Sequence, residues 1–143
     1  MGVSFLWQPA EAWMINNVIA ATAPDSAGPT ILSGLQNRLT LFGNDLYGPS
    51  GFHLLWDGAQ NIDDPSAINA CQWNGCVDAS DNISARPDFT APDDFHLSAD
   101  SACVDAGVDP SPWDLEGRSD FDLDGDARPF GAAPDIGADE WRP

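Results

Sequence analysis

The sequence predicts a single, mostly β domain over residues 1–143, and three observations support this fold class. The chain contains 20 Asp but only three Glu, together with 13 Gly and 12 Pro, and these residue types favour turns over helix interiors. Its apolar runs are short, and the pairs Asn16-Asn17 and Asn44-Asp45 recur at an offset of 28 residues, a spacing typical of stacked repeats. The hydrophobic fraction of 43% is sufficient for a core at this length.

The charge of the chain excludes several classes of partner. The formal net charge is −18, with five Arg and no Lys. Such a surface repels nucleic acid phosphates and anionic lipid, and no apolar run reaches the roughly 18 residues of a membrane span. We therefore expect no nucleic acid partner and no membrane span, whereas divalent cations and neutral glycans remain compatible.

The first part of the chain, about residues 1–60, predicts short strands separated by turns. Apolar runs cover residues 13–20, 30–35 and 51–56, and a loop bounded by Pro and Gly lies at 23–29. The clearest strand and turn is 39–48, which contains the second of the recurring Asn pairs.

The cysteines and histidines are interpreted as structural. Cys71 and Cys76 flank an Asn-Gly turn, so we predict a disulfide that closes a small loop. Cys103 is left over and is expected to be a buried thiol. His53 and His96 lie beside apolar residues and have no zinc-ligand spacing with the cysteines, so we interpret both as half-buried structural side chains.

The acidic tail, residues 119–141, offers two interpretations. Asp120, Asp122 and Asp124 followed by Gly125 match the first half of a calcium loop, but position 12 of that loop is Gly131 instead of Glu. On the first interpretation calcium is the cofactor and its candidate ligands are Asp120, Asp122, Asp124, Asp126 and Asp135. On the second, the carboxylates cap backbone amides and pair with Arg128, which becomes the centre of a structural ion pair.

Three tryptophans are candidate ligand-binding residues. Trp56, Trp73 and Trp113 lie in segments predicted to be loops, where an exposed indole ring suits stacking on a sugar ring. The alternative for each is a place in the small core.

Several motifs between residues 82 and 141 carry a family resemblance. Their order and spacing resemble the C-terminal end of secreted bacterial right-handed parallel β-helix proteins of the pectate-lyase-like superfamily. Arg86 and the Ala102-Cys103 pair depart from that pattern without altering the fold it implies. The matching pieces are Asn82-Ile83-Ser84, Pro87-Asp88-Phe89, Asp94-Phe95-His96-Leu97, Ser101 to Gly107, Asp122 to Pro129, and Pro134 to Glu140.

The resemblance implies a short right-handed parallel β-helix of few coils over about residues 1–60, followed by a long loop-rich C-terminal cap over about 61–143. It also implies an extracellular or cell-surface location, although the chain as given has no basic region of a secretion signal before its first apolar residues. A helix of few coils exposes an apolar end. We therefore expect self-association through the N-terminal coil end, with Val3, Phe5, Leu6, Trp7 and Trp13 covering it.

We predict a non-catalytic extracellular module with a structural, adhesive or carbohydrate-binding role and a glycan as partner. The alternative is a fragment or diverged member of a polysaccharide lyase or glycoside hydrolase. Lyases of this superfamily generally use Lys or Arg as the base together with calcium, whereas this chain has no Lys. Its carboxylates are so many that no glycosidase pair can be singled out, so the catalytic residues are left unassigned.

Overall fold

The computed structural model describes residues 3–5, 9–21, 29–48, 52–113 and 120–143, with the backbone alone described for residues 3–5. Within these ranges the chain forms eleven short strands and one five-residue helix, so the prediction of a mostly β protein is confirmed. The elements are β1 (Val3–Phe5), β2 (Glu11–Ile15), β3 (Val18–Ala20), β4 (Ile31–Ser33), β5 (Arg38–Phe42), β6 (Asp45–Tyr47), β7 (Leu55–Trp56), β8 (Asn61–Ile62), α1 (Pro65–Asn69), β9 (Cys76–Ser80), β10 (Phe89–Ala91) and β11 (Asp94–Leu97).

The strands form four small sheets, three of which contain parallel pairs. Their orders are β1-β4-β7-β8, β2-β5-β9 and β3-β6, and β10 and β11 form a separate antiparallel hairpin. Strand β8 is antiparallel to β7, whereas the other pairs in the first three sheets are parallel. Strand β9 lies downstream of residue 60, so parallel pairing continues into the segment where the cap was expected.

The register of the parallel pairs corrects the predicted uniform offset of 28 residues. Val3 pairs with Ile31 at an offset of 28, but Glu11 pairs with Arg38 and Val18 with Asp45 at an offset of 27. The next pairs differ more, with offsets of 24 for Ile31 with Leu55 and 37 for Leu39 with Cys76. The spacing therefore varies from pair to pair.

One core cluster receives side chains from all three sheets that contain parallel pairs. Leu39, Leu41, Leu46, Leu55 and Ile31 are fully buried in it. Because strands with alternating side chains direct one face inward, each of the three sheets contributes one face to this shared core. A second, smaller cluster of Leu97, Cys103 and Ile136 lies under the C-terminal segment and contacts Val18 and Ile83 at its margin.

A row of asparagines links successive strands at the turns that follow β2, β5 and β9. The Asn44 Oδ1 atom accepts hydrogen bonds from the backbone N and Nδ2 of Asn17, at 3.0 and 3.1 Å. The Asn82 Oδ1 atom in turn accepts from N and Nδ2 of Asn44, at 3.1 and 2.9 Å. Asn69 continues the row by accepting from Asn82 Nδ2 at 2.8 Å. We call these four residues the asparagine ladder.

The segment before β9 is compact. Asp64 caps α1 by accepting from Ser66 N, and Pro65 occupies the first turn, where its missing N–H costs nothing. Cys71 and Cys76 form a disulfide that closes the loop after the helix, with their Cα atoms 5.5 Å apart. Strand β9 begins at Cys76, where this loop ends.

Candidate functional site

A groove runs between the β3 strand and the β10–β11 hairpin. Its central cavity has a volume of about 460 Å³ and is lined by Asn16, Val18, Phe89 and Phe95 among others. A second cavity of about 520 Å³ shares Phe89 with it, and a third of about 360 Å³ shares Asn16. The three cavities adjoin through these shared lining residues, and together we call them the edge groove.

The edge groove combines aromatic surfaces with polar groups. Phe95 is 62% exposed and stands edge-to-face against Phe89, with ring centroids 5.7 Å apart. Tyr47 and Arg86 line one end, and Phe121 lines the other. Such a mixture of ring faces and hydrogen-bonding groups is characteristic of small-molecule and glycan sites.

The hairpin that forms one wall of the edge groove is fixed by its own pairing. Phe89 pairs with Leu97 and Ala91 pairs with Asp94, on either side of a turn that begins at Pro92. The pairing shifts register between Phe89 and Ala91, and Leu97 is buried in the second core cluster. The hairpin is therefore anchored at its base, while Phe95 projects outward.

The five predicted calcium ligands are not brought together. Asp122 Oδ1 accepts from the backbone N of Asp124 and Asp126, at 3.0 and 2.8 Å, and Asp135 accepts from Asp105 N and Trp141 N, at 2.7 and 2.6 Å. These carboxylates cap backbone amides, as the second interpretation expected.

The remaining tail carboxylates point to separate partners. Asp126 forms an ion pair with Arg142, with Oδ2 3.5 Å from Nε, Asp124 contacts His96, and Asp120 is exposed. Among the described residues, no three of these five aspartates have carboxylate oxygens within 4.8 Å of one another, so calcium binding by the five stays a prediction that the geometry of the tail does not support.

Burial and the amide contacts shift the pKa values of two tail carboxyl groups in opposite directions. Burial alone would raise the pKa of Asp122, but the amide donors around its oxygens lower the pKa below its usual value. For Asp135, burial dominates and raises the pKa.

His96 lies between two carboxylates. Its Nδ1 contacts Asp94 Oδ1 and its Nε2 lies 2.8 Å from Asp124 Oδ2. The hydrogen bond to Asp124, followed by that to Asp94, raises the pKa of His96 to about 9.

A third carboxylate stands beside His96. Ligand atoms of His96, Asp124 and Asp139 all lie within 4.8 Å of one another, and among the described residues this is the one such group of three or more His, Cys, Asp or Glu side chains. His96, which we interpreted as a simple structural side chain, is thus at the centre of a charged cluster.

Arg128 and Glu140 form the buried part of the tail. Arg128 Nη2 donates to Gly137 O at 2.9 Å, and its Nε lies 3.7 Å from Glu140 Oε2. The Glu140 carboxylate also accepts from Phe130 N at 2.6 Å and Asp135 N at 3.1 Å. Arg128 therefore neutralises a carboxylate that has no exposure to solvent.

The candidate tryptophans have different environments. Trp73 is 6% exposed in the main core and donates from Nε1 to Ile68 O. It is therefore a core residue, the alternative to sugar binding, and its ring is not available to a sugar. Trp113 is 42% exposed and packs on Phe42, with ring centroids 4.9 Å apart. Trp56 is half-buried in β7. None of the three is a lining residue of the edge groove.

Sequence reasoning missed the edge groove because its walls come from distant parts of the chain, near residues 16–20, 86–95 and 121–138. For the cluster around His96, which lies outside the lining of the edge groove, one usable signal was present. Asp94 and His96 stand two residues apart, so their side chains share one face of a strand.

No helix in the described ranges has the length and apolarity needed to cross a bilayer. No family model matches the chain, and no curated protein or solved structure gives a significant match.

Proposed function

We propose that this chain is a non-catalytic, extracellular module that binds neutral glycan chains in the edge groove. The observation that carries the proposal is the groove itself, a set of adjoining cavities with exposed phenylalanine rings and backbone or amide groups among their lining residues. Sugar rings present apolar faces and peripheral hydroxyls, so they fit a wall of this composition.

The scaffold we propose for the module is a short right-handed parallel β-helix closed by the C-terminal segment. Three sheets that contain parallel pairs at offsets of 27 or 28 residues, sharing one core, support it. Right-handed crossovers between parallel strands are the strong rule. In such a scaffold β3 is an outer strand, and the hairpin of β10 and β11 stands beside it to create the edge groove.

Charge favours neutral over acidic glycans. The chain carries a net charge of −18, and Arg86 at one end of the edge groove forms an ion pair with Asp88, 3.1 Å away. At the other end, Arg128 is directed to Glu140 and to backbone carbonyls. A polyuronate would therefore meet a repulsive field with its nearest cations already engaged.

The test is a binding titration with neutral hexasaccharides, such as those of cellulose, mannan and xylan, beside an oligogalacturonate of equal length. We expect a neutral hexasaccharide to bind, and Phe95→Ala to weaken its binding about fivefold, because loss of one stacking ring costs about 1 kcal/mol. Trp13→Ala is the matched control, since Trp13 is 57% exposed and lies outside the edge groove.

Two results would overturn the proposal. Binding that Trp13→Ala weakens as much as Phe95→Ala would place the glycan elsewhere on the surface. Shorter products in chromatograms of the incubated oligosaccharides would instead establish the alternative, a lyase or hydrolase.

A further inference from the structure

We propose that His96, Asp124 and Asp139 bind one divalent transition-metal ion of the zinc class. The ligand atoms of the three side chains lie within 4.8 Å of one another, and one imidazole with two carboxylates is a donor set that zinc accepts. Of these three residues, only Asp124 belongs to the five aspartates that the sequence suggested as calcium ligands.

The surroundings of His96 match those of a metal-binding histidine. Asp94 Oδ1 contacts Nδ1 of the ring, which leaves Nε2 directed toward Asp124. A carboxylate on the far nitrogen fixes the orientation of the ring and raises its basicity as a ligand, as is usual for zinc-bound imidazole. Because Asp94 and His96 both belong to β11, this orientation is fixed before any ion arrives.

The two carboxylates differ in mobility, and this difference lets the site close. Asp139 is only 5% exposed and its Oδ2 accepts from Leu97 N at 2.8 Å, so it is a rigid ligand. Asp124 is 54% exposed in its side chain and precedes Gly125, around which no atom lies within 4 Å of a built Cβ.

Ion binding requires side-chain movements of up to about 1.4 Å, because ligand atoms that now lie as much as 4.8 Å apart must come to the separation of ligands around one ion. Tetrahedral ligands at zinc distances of 2.0 to 2.2 Å stand about 3.4 Å apart. The Asp124 carboxylate, now 2.8 Å from Nε2, must therefore move outward by less than 1 Å, which its open turn permits.

The chemistry of the donors selects the class of ion. Calcium takes six to eight oxygen ligands, whereas this site supplies one nitrogen and two carboxylates. Two carboxylates offset the charge of a divalent cation, and the exposure of His96 and Asp124 leaves room for water to complete the coordination.

The metal would join three separate parts of the chain. His96 lies in the hairpin, Asp124 in the tail turn 28 residues further on, and Asp139 beside the buried pair of Arg128 and Glu140. An ion bound only by the folded chain stabilises it by mass action. We therefore expect zinc at 100 µM to raise the Tm of the metal-free chain by roughly 5 °C or more.

The experiment titrates zinc chloride into the chelator-stripped, tag-free chain, with calorimetry for affinity, native mass spectrometry for stoichiometry and a melting curve for stability. We expect one zinc per chain, with at least tenfold weaker binding in Asp124→Asn and in His96→Gln. Asp120→Asn, an exposed carboxylate of the same tail, is the control and should bind zinc as the parent does. Asp124→Asn alters an exposed side chain and keeps its shape, so it remains informative if His96→Gln impairs folding.

Three outcomes would overturn the proposal. The first is the absence of zinc binding, which would leave His96 as a proton-bridged link between Asp94 and Asp124. The second is equal zinc affinity in Asp124→Asn and the parent chain, which would place the ion elsewhere. The third is tighter binding of calcium than of zinc, which would return the site to the aspartates of the tail.

Discussion

At the scale of single residues, the asparagine ladder concentrates buried polar contacts at a few side chains. Asn44 is fully buried, donates from Nδ2 to Met14 O at 2.8 Å, accepts hydrogen bonds from Asn17 and donates to Asn82 Oδ1. A buried group left without its partner costs about 1 to 3 kcal/mol. Each ladder position is therefore expected to tolerate few substitutions.

Asn44→Ala tests this expectation. We expect a loss of about 3 kcal/mol in the free energy of unfolding, because several buried donors and acceptors lose their partners together. Urea denaturation gives the value. Asn61→Ala is the control: Asn61 is exposed in β8, and a change there should stay within about 0.5 kcal/mol. Equal losses in the two variants would contradict the role of the ladder.

Asp45 is a second residue whose burial has a measurable consequence. It is fully buried, accepts from Ala85 N at 2.9 Å and lies 3.5 Å from the Cys103 thiol. Desolvation raises the pKa of Asp45 to about 6, against the opposing hydrogen bond from Ala85.

This raised pKa predicts a pH dependence of stability. The folded state holds the Asp45 proton up to about pH 6, whereas the unfolded chain releases it near pH 4. The stability contributed by the protonated form is therefore complete at low pH. It is lost as pH rises from about 4 to about 6. Asp45→Asn lacks this loss. Its stability relative to the parent should therefore rise by about 3 kcal/mol between pH 4 and 7, measured by urea denaturation at both pH values. A pH-independent difference would contradict the assignment.

At the scale of elements, strands were easier to predict than their register or the contacts of the tail. The apolar runs around Leu39 and Leu55 predicted β5 and β7 because apolar runs between turns are a local property. The offset of 28 was wrong by one residue for β2 with β5 and β3 with β6, since register depends on the partner strand and on the length of the intervening loop, which a local pattern does not specify. The carboxylates of the tail likewise allowed two interpretations until their amide partners were known.

The tail element depends on Arg128 more than on any exposed acid. Arg128→Ala should lower the free energy of unfolding by about 3 kcal/mol or more, because it leaves the buried Glu140 carboxylate without its counter-charge. Thermal melting compares it with Asp120→Asn, which removes an exposed charge. Equal melting temperatures for the two variants would contradict this expectation.

At the scale of the whole molecule, the pairing leaves one end of the three sheets open. In the described residues β1, β2 and β3 each have a strand partner on one side only. Trp13 in β2 is 57% exposed, so it does not shield that end within the monomer. The side chains of Val3 and Phe5, and the residues Leu6 and Trp7 that we expected to cover it, lie outside what the structure describes.

An open edge of this kind favours pairing with a second copy of the chain. We expect light scattering to show a dimer or larger assembly. Trp13→Pro should shift it toward monomer, because proline removes a backbone donor from an outer strand. Leu35→Ala is the control, because it changes an exposed apolar side chain outside the strands and should leave the assembly unchanged. A parent chain that is monomeric at all concentrations would contradict the expectation.

The asparagine ladder also has a consequence for how such a molecule can grow. The same side-chain amide recurs after successive strands at uneven spacing: 27 residues separate Asn17 from Asn44, and 38 separate Asn44 from Asn82. The longer interval keeps the amides aligned, whereas insertion of one or two residues within a strand would misalign a whole row of them. Changes in length should thus be accommodated in the loops between strands.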